Sequence, residues 1–286
     1  MTGPETTKPE RVPRADKLNL VRDILHLLDD MGGTSGRRRF FYETRKKITK
    51  PDVDFSVEST FNDYLIAEKK LGLMKVRARA AKITRKGQRL VSISKFGDQA
   101  LSESEKRLFR SLLFAYFSFR AFLIVGFCEG KEFINEDELY CFAKYPEREV
   151  IVKAYMKTTG QNTDREARTL LGWAVQVGLT EFDEYSGRYY LVKERHFDLD
   201  TFLKELRAAY LRTRSPRTKM ALIPEVRFIF CSSTNSSRSF FDGYLLELHD
   251  SQPSKIQLAK ASSSRQDVLK FGLRGKTFYY YYIRLV

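Results

Sequence analysis

Three times along this chain a stretch of helical periodicity gives way to a pair of short, alternating, strand-like runs. No other feature restricts the fold as much, because helical and strand periods bury different faces. In the first pass Leu18, Val21, Ile24, Leu25 and Leu28 recur at helical spacing, and Gly32-Gly33 supplies the stop. A second helix is predicted over "RRRFFYETRKK" (37–47). Lys50-Pro51-Asp52 then makes a turn, since proline disfavours helix at the residue before it, and Asp54 or Ser56 can cap the third helix. In that helix, over about residues 56–71, Val57, Phe61, Tyr64, Leu65 and Leu71 share one side. Ser59, Asn62, Asp63 and Lys70 share the other. After Gly72, "LMKVRARAAKITRKGQRLVSIS" reads as two strand-like runs joined by a basic loop, and "SKFGDQAL" starts the next helix.

The order recurs with different side chains. Residues 105–127 read as a long apolar helix with "AFLIVGF" (121–127) in the core, followed by helices over 134–146, capped by Asn135, and over 147–160. Thr163-Asp164-Arg165-Glu166 has the spacing of a capping box, opening a helix that buries Ala167, Leu170, Leu171, Trp173, Ala174 and Val177. "LTEFDEYSGRYYLV" (179–192) forms a hairpin about Ser186-Gly187. Its Glu181, Asp183 and Glu184 repel phosphate, so this middle part is expected to connect or to face protein, with Gln161, Asn162, Arg165 and Arg168 as minor DNA contacts. A third pass runs from "DLDTFLKELRAAYLRTR" (198–214) through Pro224 at the first turn of "PEVRFIFC" to "SSTNSSRS" (232–239) as turn and cap. The helix to about His249 buries Phe240, Phe241, Tyr244, Leu245 and Leu248, leaving Asn235, Arg238, Ser239 and Asp242 outside. "KIQLAK" and "KTFYYYYIRLV" are its strands, whose alternation sends about half of the tyrosines to the core.

Charge indicates the kind of partner. The 51 Lys and Arg against 36 Asp and Glu give +15, divided as +9 over residues 1–100, −3 over 101–200 and +9 over 201–286. Two basic ends around a mildly acidic middle point to a polyanion. The first seventeen residues, with three prolines and almost nothing apolar, form an extended arm in which Arg11, Arg14 and Lys17 can lie along a groove. Cys128, Cys141 and Cys231 are far apart in apolar runs, and the three histidines are scattered. Buried thiols, no disulfide and no metal site are expected. Without an apolar leader or a run of membrane length, a cytoplasmic protein with no membrane segment is expected.

One stretch carries a competing chemistry. Pro51-Asp52 followed by Glu68-Lys69-Lys70 has the spacing of a magnesium-dependent nuclease core. That core needs its Glu-x-Lys on a strand, where both side chains point the same way, whereas helical periodicity turns them about 200° apart. The stretch is expected to read DNA and not to cut it. Glu68 falls in the apolar arc of its helix, where pairing with a basic group from the first or second helix is expected.

The predicted fold is therefore α+β, mainly α, built of tandem winged-helix subdomains, each a helix-turn-helix plus a β-hairpin wing. Residues 1–17 are the arm, 18–100 a DNA-binding unit, 101–197 a connecting unit and 198–286 a second DNA-binding unit. Ser59, Asn62 and Asp63, with Asn235, Arg238, Ser239 and Asp242, have the side chains that read base edges in the major groove. Lys70, Arg77, Arg79, Lys82, Arg85 and Lys86, with the arm, would hold the backbone. Dissimilar readers in one chain imply an asymmetric site bound by a monomer, double-stranded DNA being the partner and no small molecule being needed. This module order, arm included, resembles the N-terminal DNA-recognition region of type IIS restriction endonucleases, with a FokI-like architecture. The resemblance implies that this chain has no catalytic site and no cofactor of its own, Mg2+ serving a separate nuclease domain that is not in the chain. A winged-helix transcription regulator and a replication-initiator-type DNA binder are the alternatives.

Overall fold

The computed structural model describes residues 15–49, 53–160, 164–193, 197–260, 269–273 and 276–286, with backbone alone at 260, 269–273 and 276–279. The fold is α+β, mainly helical with small sheets, and divides into two units. One unit runs to Glu132 and resumes over Glu149–Gly178; the other comprises Phe133–Arg148 and Leu179–Val286. The segment 101–197 is thus shared between the two.

The first unit is built around α1 (Leu18–Asp30), in which Leu18, Leu20, Val21, Ile24, Leu25, Leu27 and Leu28 are all buried. These side chains occupy one half of the helix, and Asn19, Arg22, Asp23, His26, Asp29 and Asp30 the other, so α1 is an amphipathic helix whose apolar half faces the core. Gly32 and Gly33 end it at φ of 82° and 72°, a conformation that glycine adopts without a Cβ penalty. A short strand that the sequence pattern does not show, β1 (Thr34–Gly36), leads into α2 (Arg37–Lys47), then α3 (Glu58–Lys70) and the hairpin β2 (Met74–Val76) and β3 (Ala80–Ile83). The antiparallel sheet has the order β1-β3-β2.

The second strand-like run is instead a helix, α4 (Arg85–Ile93). Thr84 decides this: its Oγ1 accepts the Gly87 N–H at 3.2 Å, and Gly87 and Leu90 then fall on one buried side. The alternating "LVSIS" leaves Ile93 exposed. A Cβ on Gly87 would sit 2.3 Å from the Leu73 carbonyl oxygen and 2.7 Å from Ile83 Cγ1. That carbonyl is held by the Thr84 N–H at 3.0 Å and the Thr84 hydroxyl at 2.9 Å, so it has little room to yield. Gly87→Ala is expected to lower stability by about 1–3 kcal/mol despite alanine's higher helix propensity, seen as a lower urea midpoint.

"SKFGDQAL" does not start a helix; residues 94–102 form a loop pinned on Arg22, which is fully buried. The guanidinium donates to Asp23 Oδ1 at 3.0 Å, to Glu105 Oε1 at 3.2 Å, to the Ala100 carbonyl at 3.3 Å and to the Asp98 carbonyl. Asp23 Oδ1 also accepts the Gly97 N–H at 3.0 Å. Glu105 closes the capping box of α5 (Glu103–Phe114) with Ser102. The predicted long helix breaks where Tyr116 is extended, and α6 (Phe117–Phe127) leaves α5 at 89°. Among the described residues no single helix is long and apolar enough to cross a membrane.

The helix α7 (Glu136–Phe142), capped by Asn135 as predicted, belongs to the second unit, and α8 (Arg148–Thr159) and α9 (Arg165–Gln176) return to the first. The α9 stripe Ala167, Leu170, Leu171, Trp173 and Ala174 is buried, as is Val177. Thr163 of the proposed capping box lies outside the described residues. The same helix clasps the start of α1. Trp173 Nε1 donates to the Ala15 carbonyl at 2.6 Å, Gln176 Nε2 donates to the Asp16 carbonyl at 2.5 Å, and Gln176 Oε1 accepts the Leu18 N–H at 2.8 Å. Residues 15–17 of the segment predicted to be arm are therefore part of the packed structure.

In the second unit the hairpin β4 (Thr180–Asp183) and β5 (Arg188–Leu191) precedes α10 (Leu199–Thr213), capped by Asp198. Then come β6 (Ala221–Leu222), α11 (Ile223–Thr234) with Pro224 in its first turn, and α12 (Arg238–Ser251), capped by Ser237. In the sheet formed with β7 (Ile256–Lys260) and β8 (Leu269–Leu273), β9 (Lys276–Leu285) pairs with β8 along its first half and with β6 and β7 along its second. Phe202, Phe230 and Phe241 form the centre of its core, with ring centroids 5.0–6.0 Å apart. Tyr281 is buried, while Tyr280 and Tyr282 are half-buried. Of the three thiols expected inside, Cys128 and Cys231 are buried but Cys141 is exposed, because short α7 turns Leu139 and Tyr140 inward instead.

Candidate nucleic-acid interface

Arg37 assembles a strongly cationic part of the first unit. Its backbone N–H donates to the Arg79 carbonyl at 3.1 Å, tying the start of α2 to the β2–β3 turn. Its Nη2 donates to Asn62 Oδ1 at 2.6 Å, tying the same point to α3. The three elements enclose a cleft of about 820 Å³ lined by Gly36, Arg37, Arg38, Arg39, Phe41, Glu58, Ala78 and Arg79. Neither α2, after Gly36, nor α3, after Val57, has a side-chain cap, so both helix starts lack a side-chain acceptor. Arg38, Arg39, Arg77 and Arg79 are exposed and make no ion pair or side-chain hydrogen bond among the described residues.

Cations at a helix start oppose the macrodipole, and α2 opens with three arginines and no acid in its first turn. On the same helix Arg38, Tyr42 and Arg45 follow at four- and three-residue steps, with Tyr42 63% exposed. On the sheet, exposed Lys75 and Lys82 lie directly opposite each other, an arrangement that costs stability for like charges. Arg85, Lys86 and Arg89 extend the positive charge along α4. The arginines at the start of α2 and the Lys75–Lys82 pair oppose the unit's own stability, and a bound polyanion would relieve both.

The predicted residues are distributed unevenly. Ser59 is exposed on the first turn of α3; Asn62 is half-buried and held by Arg37; Asp63 and Lys70 are half-buried and engaged. Val57, expected inside, is 47% exposed because it precedes the helix in an extended conformation. Of the proposed wing residues only Arg77 and Arg79 lie at the hairpin turn, since Lys82 belongs to β3 and Arg85 and Lys86 to α4. Arg11 and Arg14 lie outside the described residues, and Lys17 is the half-buried residue before α1.

In the second unit the α12 face is largely satisfied from within. Asn235, expected outside, is 8% exposed: it ends α11 in the left-handed region at φ 55°, and its carbonyl accepts the Lys193 N–H at 2.7 Å. Asparagine tolerates that conformation better than most residues. Asp242 lies 3.3 Å from buried Arg227 and 3.9 Å from Arg238 Nε. The Arg238 N–H donates to Glu181 at 2.8 Å, and exposed Ser239 shares a hydroxyl contact of 3.1 Å with Ser237. In the first unit Arg165 is exposed, Arg168 pairs with Asp164 at 2.6 Å and Glu149 at 3.5 Å, and Gln161 and Asn162 lie outside the described residues.

Glu68 does not find the basic partner expected of it. It is fully buried, and neither carboxylate oxygen has a hydrogen-bond partner among the described residues. Burial pushes its pKa well above the ordinary glutamate range, favouring the neutral acid. Lys70 is half-buried on the same helix, and Pro51 and Asp52 lie outside the described residues. Among the described residues no three His, Cys, Asp or Glu side chains are grouped to hold a metal.

Arg37, Arg38, Arg39, Tyr42 and Glu58 were missed from the sequence, although three arginines at a predicted helix start were themselves a signal. Comparison with protein families, with curated proteins and with solved structures returns no match.

Proposed function

We propose that this chain binds double-stranded DNA through its first unit, acting as a winged-helix module in the recognition part of a type IIS restriction endonuclease. The observation that carries the reading is the concentration of uncompensated guanidinium groups where α2, α3 and the β2–β3 turn meet. In this reading α3 offers Ser59 to the major groove, the hairpin is the wing, and Arg77 and Arg79 hold phosphates. Arg238 and Ser239 of the second unit add contacts, and cleavage belongs to a nuclease domain outside this chain. Dissimilar units support an asymmetric site and a monomer.

Selection from a random duplex library tests this directly, giving site length and symmetry together. One short non-palindromic site, bound by a monomer with a steep salt dependence, is the expected result. A palindrome bound by an obligate dimer supports a regulator instead, and no affinity for any duplex removes the reading. Joint replacement of Arg38, Arg39, Arg77 and Arg79 by alanine should lower the slope of log K against log salt by about 0.9 for each phosphate no longer held, without unfolding the protein.

A further inference from the structure

We infer that the cleft at the start of α2 is a binding site for one guanine nucleotide. This goes beyond duplex binding, since it assigns the cleft a base as well as a phosphate. Its volume, about 820 Å³, falls within the roughly 300–1,000 Å³ usual for ligand sites. A patch serving backbone phosphates alone needs only cations, and this cleft contains two groups of other kinds.

The first is Glu58. It lines the cleft beside Arg37, Arg38, Arg39 and Arg79, yet is exposed and pairs with none of them. A carboxylate left open among arginines repels phosphate but accepts two adjacent N–H donors. The second is Phe41, which is half-buried, lines the cleft and has its ring 5.3 Å from that of Phe61. Phe61 is itself fully buried, so the ring available for stacking is held from behind by the core.

Guanine matches this mixture better than the other bases. Its N1–H and N2–H2 groups stand side by side for a carboxylate, while O6 and N7 accept from a guanidinium. Cytosine and adenine present one exocyclic amine, and thymine one imide N–H between two carbonyls. The remaining guanidinium groups and the two uncapped helix starts suit the phosphate. The nucleotide can be free or a guanine extruded from a DNA strand, because in a paired duplex N1–H and N2–H2 are held by cytosine, and only the second source depends on the duplex reading.

Titration calorimetry of the full chain with dGMP, dTMP and inorganic phosphate tests the site without presupposing duplex binding. The expected result is dGMP binding roughly 10- to 100-fold tighter than dTMP, the difference associated with a hydrogen-bonded charged group. Glu58→Gln should abolish that preference while leaving the dTMP affinity in place, and Arg38→Ala with Arg39→Ala should weaken both nucleotides. Equal affinity for dGMP and dTMP, or a preference that survives Glu58→Gln, overturns the inference, as does no nucleotide binding at all. All the substituted side chains are exposed, and a native circular dichroism spectrum separates lost binding from lost folding. If dGMP displaces bound duplex at concentrations where dTMP does not, the site takes a guanine extruded from the DNA; if it binds without such selective displacement, or where no duplex binds, the ligand is the free nucleotide. Both outcomes support the site, and the last removes only the duplex reading.

Discussion

Arg22→Met is expected to destabilise the first unit by about 3–5 kcal/mol, the range for removing one partner of a buried ionic group. Methionine has similar reach but leaves two carboxylates, Asp23 and Glu105, each 1% exposed, without the cation between them. The Asp98 and Ala100 carbonyls lose their donor at the same time. Urea unfolding should show the loss as a lower midpoint, and hydrogen exchange should show faster opening of residues 94–102 than of α3. Replacing Asp23 and Glu105 by leucine alongside Arg22→Met should recover part of the stability, because the uncompensated charge is then gone. Undiminished stability in the single variant would mean that the cluster contributes nothing net.

Glu68→Met should act in the opposite direction. A buried group with no hydrogen-bond partner costs about 1–3 kcal/mol, and methionine fills similar space without polar atoms. The sign of the pH dependence follows from the raised pKa of the folded state. Below the ordinary value of 4.5 both folded and unfolded chains hold the proton, and the protonated side chain's contribution is fully present. As pH rises above that value the unfolded chain releases the proton first, so stability is lost at up to about 1.4 kcal/mol per pH unit until the folded pKa is passed. Glu68→Met should therefore gain most at neutral and alkaline pH and least near pH 4. Glu68→Gln should remove the pH-dependent part alone, since its amide still lacks partners. A wild-type chain no less stable than Glu68→Met at pH 8 would show that the carboxylate finds a partner.

Much of the helical framework was legible because period and capping agree. The limits of α2 follow from "RRRFFYETRKK", Asn135 caps α7 as expected, and Ser237, inside the stretch read as turn and cap, caps α12. The errors arose where a local pattern met a tertiary contact. Alternation in "RLVSIS" suggested a strand, but the Thr84 cap and the packing of Gly87 on Leu73 make it a helix. The apolar run 105–127 showed no breaker, yet it turns at Tyr116. For the site, sequence separated polar from apolar positions on α3 but could not tell an available polar group from an occupied one. Asn62 is engaged by Arg37 across 25 positions, and Asn235 is consumed in ending its helix. The cleft joins residues from three elements, and no single stretch of sequence contains it.

The clasp of α9 on the chain start also has a consequence in time. Trp173 and Gln176 reach Ala15 and Asp16 across 158 and 160 positions. At roughly 5–20 residues per second, the ribosome makes those partners about 8–30 s after the residues they hold. Until then α1 has its hairpin and α3 to pack on, and its root has the Tyr64 hydroxyl, 3.5 Å from Asp16 Oδ1, but not the α9 contacts. A nascent chain halted near residue 100, where the helix-and-hairpin order is first complete, would have all the cationic residues of the cleft and still lack the α9 clasp on residues 15–18.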